Sequence, residues 1–134
     1  MRRIVLIACA AQKRRHLTKA RELSVSPLFK KNLRYAERLA PDQIYILSAK
    51  YGLLGLEDEV QPYDLTLNAM PADEVKYWAT QVLKQLAQRA DLQRDQFVFL
   101  AGAKYRRYLV PHMAHVEVPF EGLSIGKQLR SLSA

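Results

Sequence analysis

Short apolar runs alternate with longer segments of helical period along this chain. Residues 4–8 (IVLIA), 44–47 (IYIL), 97–100 (FVFL) and 116–118 (VEV) are rich in β-branched or aromatic residues. Such runs form strands, and near-continuous apolarity marks strands covered on both faces. In SPLFKKNLRYAERLA, Ser26 predicts an N-cap and Pro27 the first helical residue, and Phe29, Leu33, Ala36 and Leu39 repeat at helical spacing. In MPADEVKYWATQVLKQLAQRA, Val75, Trp78, Ala79, Val82, Leu83 and Leu86 form one apolar stripe behind Pro71, Asp73 and Glu74. A third helix is predicted over 104–109 and a last one over 125–132, the latter capped by Ser124.

Strands alternating with helices favour a parallel sheet, because right-handed crossovers need covering layers. The expected architecture is a three-layer α/β/α sandwich built on a short, mainly parallel four-stranded sheet. At 134 residues and 49% hydrophobic content the chain suits one α/β domain over 1–134. The segment 48–67 has no clear period, and its Tyr51, Leu53, Leu54, Leu56, Val60, Tyr63, Leu65 and Leu67 are too apolar for a solvated tail. It is expected to pack on the sheet edge as an Ω-like excursion.

Composition narrows the setting. The start, MRRIVLIACAAQKRR, has an apolar run of only about seven residues before a basic cluster, and reads as a first strand rather than a signal peptide. No run approaches the roughly 20 apolar residues that span a bilayer. One cysteine, Cys9, excludes an internal disulfide and is compatible with a reducing cytoplasm, the expected compartment. The net charge of +8 is unevenly spread: 1–39 hold eleven Lys or Arg against two acids, 40–75 one against seven, and 76–134 nine against four. Such basic segments suit phosphates, or form ordinary solvated faces.

In open parallel sheets, ligands bind outside the carboxyl ends of the strands. The loops predicted there are ACAAQKRR, SAKYGLLGLEDEVQPYDLTL, AGAKYRR and PFEGLSIGKQ. They supply the candidates. Lys50 is a phosphate or base contact, or a surface lysine. Asp64 is a base or electrostatic stabiliser, or caps a turn in PYDLT. Cys9 is a nucleophile or a small buried hydrophobe. Tyr105 and Arg106, in the run YRRY, combine stacking and phosphate-holding groups. Gly102, Glu121, Ser124 and Lys127 come from the last two loops, and Lys13, Ser48, Tyr51 and Tyr63 from the first two. His112 and His115 lack the further ligands of a zinc site. GLSIGKQ departs from a P-loop, with its glycines one residue too close and Gln128 in place of Ser or Thr, and the first loop lacks a dinucleotide fingerprint. No metal and no cofactor are expected.

Taken in order, "CAAQK", "SPLFKKNLRYA", "ILSAKYGLL", "PYDLTL", "FLAGAKYRRYL" and "GLSIGKQLRSL" resemble a small bacterial and phage family of unknown function. It is labelled YaaA-like, after a peroxide-stress protein associated with DNA. That family looks related to the α/β sandwich of uracil-DNA glycosylases, in which an early loop carries a water-positioning Asp followed by Pro-Tyr. Here Pro62, Tyr63 and Asp64 are similar residue types in another order. The late loop PFEGLSIGKQL stands where a "HPSPLS" loop would, without its histidine, leaving Glu121, Ser124 and Lys127 as replacements. The resemblance implies a protein directed at nucleic acid, most concretely DNA, or at nucleotides, hydrolysing the N-glycosidic bond of a modified or damaged base. Asp64 would face the oxocarbenium, Lys50 or Lys127 the leaving base, and Lys13, Arg14, Arg15 and Arg106 the backbone, with Tyr51 or Tyr63 stacking. A non-catalytic DNA-binding stress protein and an enzyme acting on free nucleosides are the alternatives.

Overall fold

The computed structural model describes residues 1–9, 17–24 and 26–133. In chain order it contains β1 (Arg3–Ala8), β2 (Thr18–Lys19), a 3₁₀ turn at Ala20–Glu22, α1 (Pro27–Arg38), β3 (Gln43–Ser48), β4 (Gly52–Gly55) and β5 (Glu59–Val60). A 3₁₀ turn at Leu67–Ala69 then leads to α2 (Ala72–Ala87), β6 (Gln96–Leu100), α3 (Ala103–Arg106), a 3₁₀ turn at Val110–His112, β7 (His115–Glu117) and α4 (Ile125–Ser133).

The main sheet has the order β4-β3-β1-β6-β7. β1 is parallel to β3 on one edge and to β6 on the other, with Val5 opposite both Ile44 and Val98. β7 continues the parallel set beside β6, whereas β4 runs antiparallel to β3. β2 and β5 form a separate antiparallel pair. The sheet therefore has five strands, not the expected four. The added strand lies in the segment without a clear period: GLLG is too short to show alternation, and its glycines read as punctuation rather than strand.

Successive strand residues point to opposite faces, so each apolar run feeds two cores. Ile4, Leu6, Phe97 and Phe99 pack with Val75, Trp78, Val82 and Leu86 of α2 and with Tyr105 and Leu109. Val5, Ile7, Ile46 and Val98 pack with Phe29 and Ala36 of α1 and with Leu23 and Val60. The α1 stripe and cap form as the sequence predicts, with Ser26 Oγ accepting from the Phe29 amide at 3.5 Å and Pro27 at the first helical position. The third helix is shorter than the expected 104–109. It stops at Arg106 and passes into a turn containing Pro111, a residue that lacks an N–H and disfavours helix before it.

The β3–β4 hairpin depends on Gly52, whose φ of +77° is open to glycine at low cost. Gln85 of α2 braces the turn: its Oε1 accepts from the Leu53 amide at 2.9 Å and its Nε2 donates to the Tyr51 carbonyl at 3.3 Å. A Cβ at position 52 would collide with that carboxamide oxygen. Gly52→Ala is thus expected to cost about 1–3 kcal/mol from left-handed strain, plus the displaced brace. Urea denaturation should show a lower midpoint at unchanged slope; an unchanged midpoint would refute this role for Gly52.

Candidate functional site

The chain leaves β1 toward β3 and, after α2, returns to the sheet at β6 on the other side of β1. At such a switch point the crossovers diverge and a crevice opens beyond the carboxyl ends of the two strands. A cleft of about 360 Å³ lies there, with Ala8 ending β1 and Leu100 ending β6 on its floor. Leu28, Phe29 and Asn32 of α1 form one wall, Asn68 and Gly102 to Tyr105 another, and Gln128 of α4 contributes a further amide. That volume is in the range of small-ligand sites.

Asn32 is the unusual group in this cleft. It is 5% exposed, and its Oδ1 is buried without a hydrogen bond from any described residue. A buried acceptor left unmatched costs about 1–3 kcal/mol, and native proteins rarely retain one without a reason. Helical geometry explains its position: Phe29, Asn32 and Ala36 share the buried face of α1.

The opposite wall is pinned by side chains. Tyr105 is buried with its ring edge-on to Trp78, and its hydroxyl lies 3.4 Å from both the Thr66 Oγ1 and the Leu67 amide. Lys104 donates through Nζ to the Met70 carbonyl at 2.7 Å and the Asn68 carbonyl at 3.3 Å. Together these bonds tie α3 to the 3₁₀ turn that carries Asn68.

A second polar cluster closes the end of β3. Ser48 Oγ and the Tyr63 hydroxyl share a 2.5 Å hydrogen bond, and Ser48 Oγ accepts from the Tyr51 amide at 3.1 Å. The Trp78 indole N–H donates to the Ser48 carbonyl at 2.8 Å, and Cys9 is buried beside Tyr63. Tyr51 packs edge-on against Tyr63 and donates to the Gln61 carbonyl at 3.2 Å. Burial is the main cause that pushes the Tyr63 hydroxyl well above the usual tyrosine range; Cys9 adds to it and the bond to Ser48 opposes it.

The residues expected from sequence divide between these places. Gly102 and Tyr105 line the cleft. Arg106 and Glu121, 4.0 Å apart, line a smaller adjoining cavity of about 130 Å³ that shares Leu100, Ala101, Gly102, Ala103 and Gln128 with it. Cys9, Ser48, Tyr51 and Tyr63 form the β3-end cluster. Ser124 caps α4 by accepting from the Lys127 amide at 3.3 Å, and both residues are exposed. Lys50 lies outside the cleft, over the Tyr51 ring, in an open groove of about 880 Å³ along α2 that also includes Tyr77 and Gln85. Asp64 is exposed, does not line the cleft, and has no hydrogen bond or ion pair to a described residue. Lys13, with Arg14 and Arg15, lies outside the described residues. Among the described residues, no three His, Cys, Asp or Glu side chains converge as a metal would require, and no helix is long and apolar enough to cross a membrane. Sequence reasoning missed Asn32, Asn68, Lys104 and Gln128. Only Asn32 carried a signal, as a polar residue on an apolar helical stripe.

The profile of a family of unknown function, DUF6884, matches residues 4–134, and the chain belongs to that family. No curated protein and no solved structure matches it. These comparisons therefore do not connect the chain to the peroxide-stress protein or to the uracil-DNA glycosylases.

The raised pKa of Tyr63 gives a pH dependence with a fixed sign. An unfolded tyrosine ionises near pH 10. Folded stability is therefore retained below about pH 10 and declines above it, because the unfolded chain releases the proton more readily than the native one. Tyr63→Phe should flatten that alkaline decline in urea-denaturation midpoints. Identical alkaline profiles for the two proteins would contradict the assignment.

Proposed function

We propose that this DUF6884 chain is a nucleotide- or nucleic-acid-directed protein that holds a base in the cleft between β1 and β6. The observation that carries this reading is Asn32, which lines the cleft at the switch point of the sheet and whose buried Oδ1 has no hydrogen bond from a described residue. A ligand meeting it must bring an N–H donor into an otherwise apolar wall formed by Leu28, Phe29 and Leu100. A nucleobase does so, having planar apolar faces and N–H groups on its edge, and amide side chains read such edges. Gln128 and Lys104 add polar groups at the same cleft. The two cores support reading the sheet as the middle of an α/β/α sandwich, with α1 and α2 on opposite faces. The single cysteine supports a reducing compartment such as the cytoplasm.

The more specific reading is hydrolysis of an N-glycosidic bond in DNA. Water oxygen would bond to C1′ of the sugar, the electron pair of the breaking C1′–N bond would pass to the base, and the proton lost by the water would end on the base. Asp64 is the proposed carboxylate. In its favour, it lies between Tyr63, tied to the end of β3, and Thr66, tied to Tyr105 in the cleft. Its exposed position outside the cleft makes base binding the primary claim and catalysis the secondary one.

Isothermal titration calorimetry with deoxynucleoside monophosphates tests the primary claim. Asn32→Leu should weaken binding by about tenfold or more, the scale of a lost buried hydrogen bond. The same variant should melt higher, because it removes the unmatched acceptor. Unchanged affinity, or a lower melting temperature, would contradict the role of Asn32. Chromatographic assay of free base from oligonucleotides containing uracil, hypoxanthine or 8-oxoguanine tests the secondary claim, and Asp64→Asn should abolish release. Binding without release favours a non-catalytic DNA-binding protein. Turnover of nucleosides without DNA binding favours a nucleoside enzyme.

A further inference from the structure

A basic groove of about 560 Å³ runs along the α1/α4 seam and is lined by Lys31, Arg34, Glu37, Arg38 and Leu132. The seam also borders the cleft: Asn32 adjoins Lys31 on α1, and Gln128 lies one turn before Leu132 on α4. The Arg38 guanidinium donates to the Leu132 carbonyl at 3.5 Å, which fixes one cation across the two helices. Glu37 is the one carboxylate lining the groove among the described residues, and its Oε2 lies 3.4 Å from Arg21. Arg34 is exposed and has no ion pair to a described residue. Lys31, Arg34 and Arg38 recur at helical spacing over about 10 Å of α1.

We infer that the α1/α4 seam is the track for the sugar–phosphate backbone of a single DNA strand, one base of which enters the cleft. This rests on the base-binding reading above for the cleft, and adds a binding surface and a strand form. The charge of the groove matches a polyanion, and its contact with the cleft gives the strand a path from phosphate contacts to a base pocket. A single strand fits because a stacked duplex base would first have to be extruded to reach a pocket of that kind.

Fluorescence anisotropy of a labelled oligothymidylate over a series of salt concentrations tests the track. Each phosphate contact in a single strand contributes about 0.7 to the slope of log affinity against log salt. Lys31→Gln/Arg34→Gln/Arg38→Gln should reduce that slope by about 2 and weaken binding roughly tenfold or more, and Arg34→Gln alone should reduce the slope by about 0.7. Arg34→Gln breaks no hydrogen bond or ion pair with a described residue, so it keeps the test open if the triple variant loses stability. Calorimetric affinity for thymidine monophosphate should change less than twofold in either variant. An unchanged salt slope, or wild-type protein that binds the monophosphate and not the oligonucleotide, would overturn the track and leave the cleft reading intact. Seam-dependent oligonucleotide binding that Asn32→Leu does not affect would support the track and overturn the cleft reading.

Discussion

β1 is hydrogen-bonded along both edges and buried on both faces, and the chain reaches its two neighbours by crossovers that diverge. This constraint organises the remaining structure. Residues of α1 pack with Val5 and Ile7 of β1, and residues of α2 pack with Ile4 and Leu6. The divergence takes place at the junction of β1 and β6. That junction is where Ala8 and Leu100 floor a cleft and where α1, α4 and the segments around Asn68 and Gly102 present side chains.

The cleft and its surroundings contrast energetically. Around it, polar groups are carefully matched. Ser48 engages Tyr51, Tyr63 and Trp78, Tyr105 engages Thr66 and Leu67, and Lys104 takes two backbone carbonyls. These bonds hold irregular backbone against the ends of the strands, where ladder hydrogen bonds no longer satisfy it. Asn32, which lines the cleft, buries an acceptor that no described residue satisfies. Sites that bind commonly retain such a cost, because the group that destabilises the free protein is the one a ligand satisfies.

Much of this fold was legible in the sequence because burial on both faces gives strands a strong signal. The four apolar runs are all strands, and Ser26–Pro27 starts α1 where capping chemistry requires. β4 was hidden because four residues bounded by glycines cannot show a period, and because the turn that joins it to β3 is braced by Gln85, far along the chain. Site residues were harder to read. Gly102 and Tyr105 come from a loop that lines the cleft, whereas Lys50 and Lys127, chosen for their chemistry alone, lie outside it. Asn68 and Lys104 reach it through tertiary contacts that have no local sequence pattern. Asn32 was visible in principle, since it interrupts the apolar stripe between Phe29 and Ala36.

A crystal structure of the protein with its tightest-binding deoxynucleoside monophosphate tests the central claim most directly. The account predicts a base N–H within about 2.7–3.2 Å of Asn32 Oδ1, with the ring against Phe29 and Leu100. A nucleotide seated elsewhere, such as the groove beside Tyr77 on α2, with Asn32 Oδ1 accepting from a group of the protein itself, would contradict it.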